Sequence, residues 1–258
     1  MSYTEANYEN AVIYLLEQLG YTRYYGPDVE RDYRDPFFPG VLEGSLYAIN
    51  PGVPEEAVAE AVRKLRHIEN GSLVERNIIF TDYLQNGIDV SYYRDGEPKA
   101  DHVRLIDTEH AERNSFIAAN QWTFVEHSEK RADVVLFLNG LPVVVMELKS
   151  PSREGTDASE AYRQIQAYKN EIPGFFVYNA FCIMSDLAET RTGTITANED
   201  RFMEWKSVDG TVESTAQVDF QTPFRGMLEP RRLLDLLANF ICYSREEDGA
   251  FRTAKYWW

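Results

Sequence analysis

The stretch Arg131-Ala-Asp-Val-Val-Leu-Phe-Leu-Asn-Gly-Leu-Pro-Val-Val-Val-Met-Glu-Leu-Lys149 decides how the rest of the chain is read. Its two arms, Ala132 to Leu138 and Pro142 to Leu148, are apolar at both alternating positions, as in central strands covered on both faces. Asn139-Gly140 between them is a hairpin signal. Asp133 and Glu147 interrupt this apolar run, where a carboxylate is costly to bury unless a cation or hydrogen bonds compensate. Lys149 stands two residues after Glu147 and emerges on the same face of its strand. Two acids and a lysine on adjacent buried strands make a hard-oxygen site of the kind that binds magnesium, beside a cation able to orient water or hold a phosphate. Phosphodiester hydrolysis fits that chemistry. A bare Glu-x-Lys is more often an ion pair at a sheet's end, and Asp133 a strand-end cap; the apolar context shifts the balance toward a site.

Residue parity decides whether the two carboxylates can share one ion. A two-residue Asn139-Gly140 loop pairs Leu138 with Leu141 and Asp133 with Met146, and sends Glu147 to the opposite face. A three-residue loop over Leu138, Asn139 and Gly140 pairs Asp133 with Val145, and leaves Asp133 and Glu147 as diagonal neighbours about 7–8 Å apart on one face. An odd-length loop, or an equivalent bulge between Phe137 and Val143, is therefore expected, with Gly140 at positive φ.

Downstream, a helix is expected from Ala158 to Asn170, capped by Asp157 with Glu160 three residues later. It carries Gln164 and Tyr168 on one face with Ala161 and Ile165. Read plainly, Tyr168 packs on the sheet and Gln164 is solvated; beside a metal site, their amide and phenol would supply hydrogen bonds to substrate or to the lysine. Arg163 and Lys169 are candidate phosphate contacts, although a solvated face is the more ordinary reading for each. Upstream, Glu5 to Leu19 reads as a helix stopped by Gly20. Glu5 lies on its apolar stripe and Glu9 at its edge, so either acid could reach the metal, or simply favour the positive end of the helix dipole.

Further helices are expected from Pro54 to His67 and Ser72 to Gln85, with a loop from Tyr21 to Pro39. Strands are expected at Ile88 to Arg94, His102 to Asp107, Gln121 to His127, near Phe175 to Met184 and at Glu189 to Ile195. Glu229 to Tyr243 reads as an amphipathic helix and Ser244 to Gly249 as a linker. The order helix, sheet, helix, sheet is that of an α/β protein.

Composition narrows the function. The 258 residues, 44% of them apolar, suffice for a substantial core, and the net charge of −16 argues against a module held to DNA by charge alone. The first 60 residues carry 11 acids against three bases, so half of that imbalance lies at the amino-terminal end. The longest apolar runs fall far below the ~20 residues of a membrane span, and the amino terminus is unlike a secretory signal. With only Cys182 and Cys242 available for a disulfide, a cytoplasmic setting is expected. His67, His102, His110 and His127 show no zinc-ligand spacing.

With Asp133, Glu147-Leu148-Lys149 and Gln164-Ile-Gln-Ala-Tyr168 in order, the chain resembles the N-terminal nuclease region of the restriction (R) subunit of type I restriction-modification enzymes, within the PD-(D/E)xK superfamily. The last segment is similar to the QxxxY motif of RecB-type nucleases. Supporting stretches are Leu46-Tyr-Ala-Ile-Asn-Pro51, Leu105-Ile-Asp107, Asn120-Gln-Trp-Thr123, Phe137-Leu-Asn-Gly-Leu-Pro142 and Phe202-Met-Glu-Trp-Lys206. The resemblance implies a restriction-endonuclease-like fold, a central mixed sheet flanked by helices. It also implies Mg2+, with Mn2+ as a substitute, held by Asp133, Glu147 and the carbonyl of Leu148, with Lys149 activating water for a break in duplex DNA. Gln164 and Tyr168 would support cleavage, and the family's helix acid would be Glu5 or Glu9. Ala132 departs from the usual Pro, which affects only the strand's entry.

No GxxxxGK[ST] phosphate loop is present, whereas type I R subunits continue into an ATP-driven translocase. The expected layout is an endonuclease domain over 1–228, helical over 1–87 and sheet-cored over 88–228, then a helix and linker over 229–258 toward an absent motor. The modification and specificity subunits are the implied partners, and ATP would bind only in the motor. A docking scaffold for the motor and a stand-alone nuclease are the alternative readings.

Overall fold

The computed structural model of the chain describes residues 4–149, 158–186, 189–211, 220–245 and 251–255. Helix α1 (Glu5–Gln18) opens under the Thr4 side chain, which accepts from the Asn7 N–H, and ends just before Gly20 at φ +100°. Then follow β1 (Thr22–Tyr25), α2 (Leu42–Ile49), α3 (Glu55–Arg66) and α4 (Leu73–Asn86). The start of α4 is a full capping box: Ser72 accepts from the Glu75 N–H and Glu75 accepts from the Ser72 N–H. Strands β2 (Ile88–Arg94) and β3 (Glu97–Val103) form a separate antiparallel ribbon. The central run is β4 (Phe116–Val125), β5 (Glu129–Leu138), β6 (Leu141–Leu148), α5 (Ala158–Glu171), α6 (Pro173–Phe176), β7 (Phe181–Ser185), β8 (Thr190–Gly193) and β9 (Met203–Glu204). Helices α7 (Gln221–Leu228) and α8 (Pro230–Asn239) and the hairpin β10 (Ile241–Arg245) and β11 (Phe251–Lys255) follow.

Seven strands join in the order β1-β4-β5-β6-β7-β8-β9. β1 runs parallel to β4 and β6 parallel to β7, while the other neighbours are antiparallel, so the sheet is mixed. One face packs residues of α1–α4, α7 and α8 in a large core. The other packs α5 and α6 in a smaller one that includes Phe38, Trp122 and Phe137. β5 and β6 lie between these layers, which explains why neither strand shows polar alternation.

Of the two expected forms, the β5–β6 hairpin takes the bulge, and Gly140 has the expected positive φ. The turn has two residues, Asn139 at φ +53° and Gly140 at φ +85°, and closes the pair Leu138↔Leu141. The register then shifts between Leu136 and Phe137, because Phe137 pairs with Pro142 and Leu136 with Val144, leaving Val143 as a bulge. Val143 and Val144 accordingly face the same core, which strict alternation forbids. Two-residue hairpins favour positive φ at both positions. Asn139 accepts that conformation because its side chain, fully buried, donates to the Leu105 carbonyl and accepts from the Ser115 N–H. A Cβ on Gly140 would lie 3.0 Å from the Leu42 nitrogen. Gly140→Ala should thus destabilise the chain by on the order of 1–2 kcal/mol in urea denaturation; an unchanged midpoint would show that the turn relaxes freely.

Several boundaries differ from expectation. β1 lies inside the expected loop 21–39: all four of its residues are exposed, so it joins the sheet through backbone pairing with β4 and leaves no apolar period. α2 was not anticipated. β3 ends at Val103, where a strand was expected to begin at His102, and β4 starts at Phe116 instead of Gln121. Phe175 and Phe176 belong to α6, with β7 beginning only at Phe181. α8 stops at Asn239, and β10 stands where the helix end and linker were expected. Leu233, Leu234, Leu236 and Leu237 of α8 are buried in the same core as α1, so this segment is part of the folded body. The Asp157 cap, residues 246–249 of the expected linker and the tail from Tyr256 to Trp258 lie outside the described residues.

Candidate active site

The bulge at Val143 sets the site. The paired register ends at Val134↔Met146, and the next residues out on the two strands are Asp133 and Glu147, whose charges act on each other. Here the Leu148 N–H donates to Asp133 Oδ2 at 2.8 Å, so a side chain takes a place at the end of the ladder. Lys149 Nζ lies 2.7 Å from Glu147 Oε1, with Glu147 only 2% exposed and Lys149 7%. The Lys149 N–H is anchored in turn by the Ser185 carbonyl at 2.8 Å.

Helix α5 closes the site from the side. Tyr168 Oη lies 2.8 Å from the Arg131 carbonyl and 3.1 Å from Glu147 Oε2, its one proton shared between two acceptors. Gln164 Nε2 donates to the same phenol oxygen at 2.9 Å. The spacing of four residues thus stacks amide over phenol on one face. Tyr168→Phe would leave the buried end of this network unpaired and should cost about 1–2 kcal/mol in denaturation of the chain. An unchanged midpoint would mean that the phenol is dispensable for folding.

The electrostatics are short of positive charge. Burial, and then the neighbouring Glu147 charge, push the Asp133 carboxyl up to about 8, against the opposing pull of the Leu148 N–H and Lys149. Burial likewise raises Glu147, even though Lys149 and Tyr168 oppose it. For Lys149, burial works downward but is outweighed by Glu147, Asp133 and Glu5, so its affinity for a proton rises. One ammonium therefore faces three acids.

Glu5 and Glu9, which the sequence leaves equivalent, part company here. Glu5 acts on Asp133, Glu147 and Lys149 through its charge. Glu9 is 8% exposed and turned to β4, where it accepts from Asn120 Nδ2 at 2.6 Å and from Gln121 Nε2. Arg163 is exposed on α5 and the structure does not bring it into the cluster. Lys169 is corrected from a candidate phosphate contact: it is buried and its Nζ donates to the Ile195 carbonyl at 3.0 Å. Ser185, Asn120 and Gln121 had no periodic signal; the last two stood out only within Asn120-Gln-Trp-Thr123.

Among the described residues no group of three or more His, Cys, Asp or Glu side chains is arranged to hold a metal by itself. Magnesium asks for no such group, since it keeps several waters and takes one or two carboxylates. Hard-oxygen donors with a deficit of positive charge fit that ion. Among the described residues no helix is long and apolar enough to cross a membrane.

A mixed sheet flanked by helices, with this cluster at the ends of its central strands, is a restriction-endonuclease-like α/β architecture. The chain belongs to the family described as type I restriction enzyme R protein N terminus, which matches residues 2–201. It is 35% identical over 259 residues to the type I restriction enzyme HindI endonuclease subunit of Haemophilus influenzae, across 95% of this chain and 24% of that protein. It is 33% identical over 267 residues to the putative type I restriction enzyme MjaIXP endonuclease subunit of Methanocaldococcus jannaschii, across 93% of this chain and 25% of that protein. The SauMSSORF170P endonuclease subunit of Staphylococcus aureus is 32% identical over 186 residues, 71% of this chain and 18% of that subunit. The chain thus spans about a quarter or less of the length of these relatives.

Proposed function

We propose that this chain is the nuclease module of a type I restriction R subunit and hydrolyses phosphodiester bonds of duplex DNA. In this reading it acts with Mg2+, or Mn2+ in its place, after ATP-driven translocation by motor domains beyond the chain, and in complex with modification and specificity subunits. The observation that carries the reading is the meeting of Asp133, which accepts from the Leu148 N–H at 2.8 Å, with the buried Glu147–Lys149 pair at 2.7 Å, at the ends of two central strands.

Asp133, Glu147 and the Leu148 carbonyl would hold the ion, with Glu5 adding negative charge nearby. A divalent cation bound there would polarise the phosphate and lower the pKa of a coordinated water. Lys149, held by Glu147 and by the Ser185 carbonyl, orients the attacking water and meets the non-bridging phosphate oxygen as negative charge grows on it. Tyr168 fixes the Glu147 carboxylate through Oε2, which leaves Oε1 to the lysine. Gln164 supports the phenol from one turn earlier on the helix. A pure docking scaffold has no need of three acids around one ammonium, which is an expensive arrangement to fold.

Calorimetry of the chain with Mg2+ or Mn2+ tests the proposal. Weak binding is expected, with most of the heat lost in Asp133→Ala. Equal heats in the variant would remove Asp133 from the site.

A further inference from the structure

Gln121 sits in the middle of β4 with φ +54°, a left-handed conformation that a non-glycine residue adopts only when its surroundings impose it. Two surroundings do so. Glu9 of α1 receives hydrogen bonds from both Asn120 Nδ2 and Gln121 Nε2 on its two carboxylate oxygens. On the other side the chain at Gly26 passes so close that a Cβ there would stand 2.6 Å from the Gln121 carbonyl oxygen.

Gln121 lies directly across from Asp133, between the pairs Asn120↔Val134 and Trp122↔Ala132. At this level both strands take an odd step. Ala119 and Trp122, three residues apart, face the same core, and so do Val135 and Ala132. Regular alternation would send the members of each pair to opposite faces. Asp133 and Val134 are the residues inside the step on β5; Val134 packs in the opposite core, and Asp133 is the polar member. Its carboxylate leaves the ordinary pleat where it meets the Leu148 N–H, one residue along the strand from Glu147.

We infer that Glu9 is a positioning residue: by clamping the Asn120 and Gln121 amides it holds Gln121 left-handed and thereby aims Asp133 at the Glu147–Lys149 cluster. Glu9 acts through β4 and touches no ion, whereas Glu5 acts on the cluster through its charge. The inference rests on the reading of Asp133 as a metal ligand only where metal is the readout.

The test is a set of variants of the chain, Glu9→Gln, Glu9→Ala, Gln121→Gly and each Glu9 variant combined with Gln121→Gly. Each is titrated with Mn2+ alone by calorimetry and melted without metal. Mn2+ affinity should fall 10–100-fold in the Glu9 variants, as for other residues that orient a ligand from behind. Adding Gln121→Gly should return it to within about threefold of wild type, because glycine adopts the left-handed conformation unaided. Gln121→Gly should also raise the melting midpoint in the Glu9 backgrounds, an absolute gain that loss of the Glu9–Gln121 hydrogen bond alone does not produce. Unchanged affinity in the Glu9 variants, or a loss that Gln121→Gly does not rescue, overturns the clamp. Should wild type bind no Mn2+, the metal reading fails, and the clamp is judged on the midpoints: a rise on adding Gln121→Gly to a Glu9 variant upholds it, and an unchanged or lower midpoint overturns it. Glu9→Gln keeps one acceptor and serves where Glu9→Ala does not fold.

Discussion

Lys149→Ala in the full-length subunit, assembled with its partner subunits, should abolish DNA cleavage while ATP hydrolysis and translocation stay near wild type. Positioned proton transfer and charge stabilisation are each worth about 10²–10⁴-fold, so a loss of at least about 10³-fold is expected when one group serves both. The structure bounds the side effects. Lys149 contacts Glu147 and lies at the end of β6, and its backbone anchor to Ser185 does not depend on the side chain. Losing the ammonium leaves the buried Glu147 carboxylate beside the half-buried Asp133 carboxyl, a strain that proton uptake by Asp133 or a bound cation relieves. Cleavage assays on circular DNA, run beside ATPase and translocation assays, separate the outcomes. Collapse of all three activities together would point to misfolding or to a docking role, and retained cleavage would remove the lysine from the chemistry.

The second large effect is a gain. Asp133→Asn should stabilise the metal-free chain at pH 8 by on the order of 1–3 kcal/mol while cleavage is lost, because the amide oxygen still accepts from Leu148 and no charge is buried. The sign follows from the raised carboxyl. Below about pH 4 the side chain is protonated in both the folded and the unfolded chain. Between there and about 8 the unfolded chain ionises and the folded one resists, so wild type loses stability as pH rises through that window. The slope levels off above it. Melting midpoints at pH 5 and pH 8 should therefore differ more for wild type than for Asp133→Asn, and Mg2+ should narrow the gap only in wild type. Parallel pH slopes for the two proteins would mean that Asp133 is not held neutral by its site.

These two expectations draw on what could be read before folding and on what could not. Asp133, Glu147, Lys149, Gln164 and Tyr168 were legible because their signals are local: acids inside apolar strands, a two-residue spacing on a strand and a four-residue spacing on a helix. The need for a parity change in the hairpin was legible too, since alternation along a strand is a property of the covalent chain. The way it is met was not. A three-residue loop and a two-residue turn with a bulge at Val143 satisfy the same parity, and packing of the turn on Leu42, Leu105 and Ser115 selects the second.

By itself, then, the sequence determined which side chains gather into the candidate site, the buried central strands that hold them and the helix that flanks them, because periodicity and burial cost act over a few residues. Tertiary structure alone decided that Glu9 is bound to β4 while the charge of Glu5 acts on the cluster. Glu5 and Glu9 are four residues apart on one helix, nearly the same in direction, and only the position of β4 captures Glu9 and leaves Glu5 to the site. It also decided the fate of Lys169, drawn inward to the Ile195 carbonyl, and the membership of β1, whose exposed side chains carry no trace of the backbone pairing that places it in the sheet. The physical reason is common to all three. Each outcome depends on a contact between segments far apart in the chain, and a contact of that kind leaves no period in the sequence of either partner.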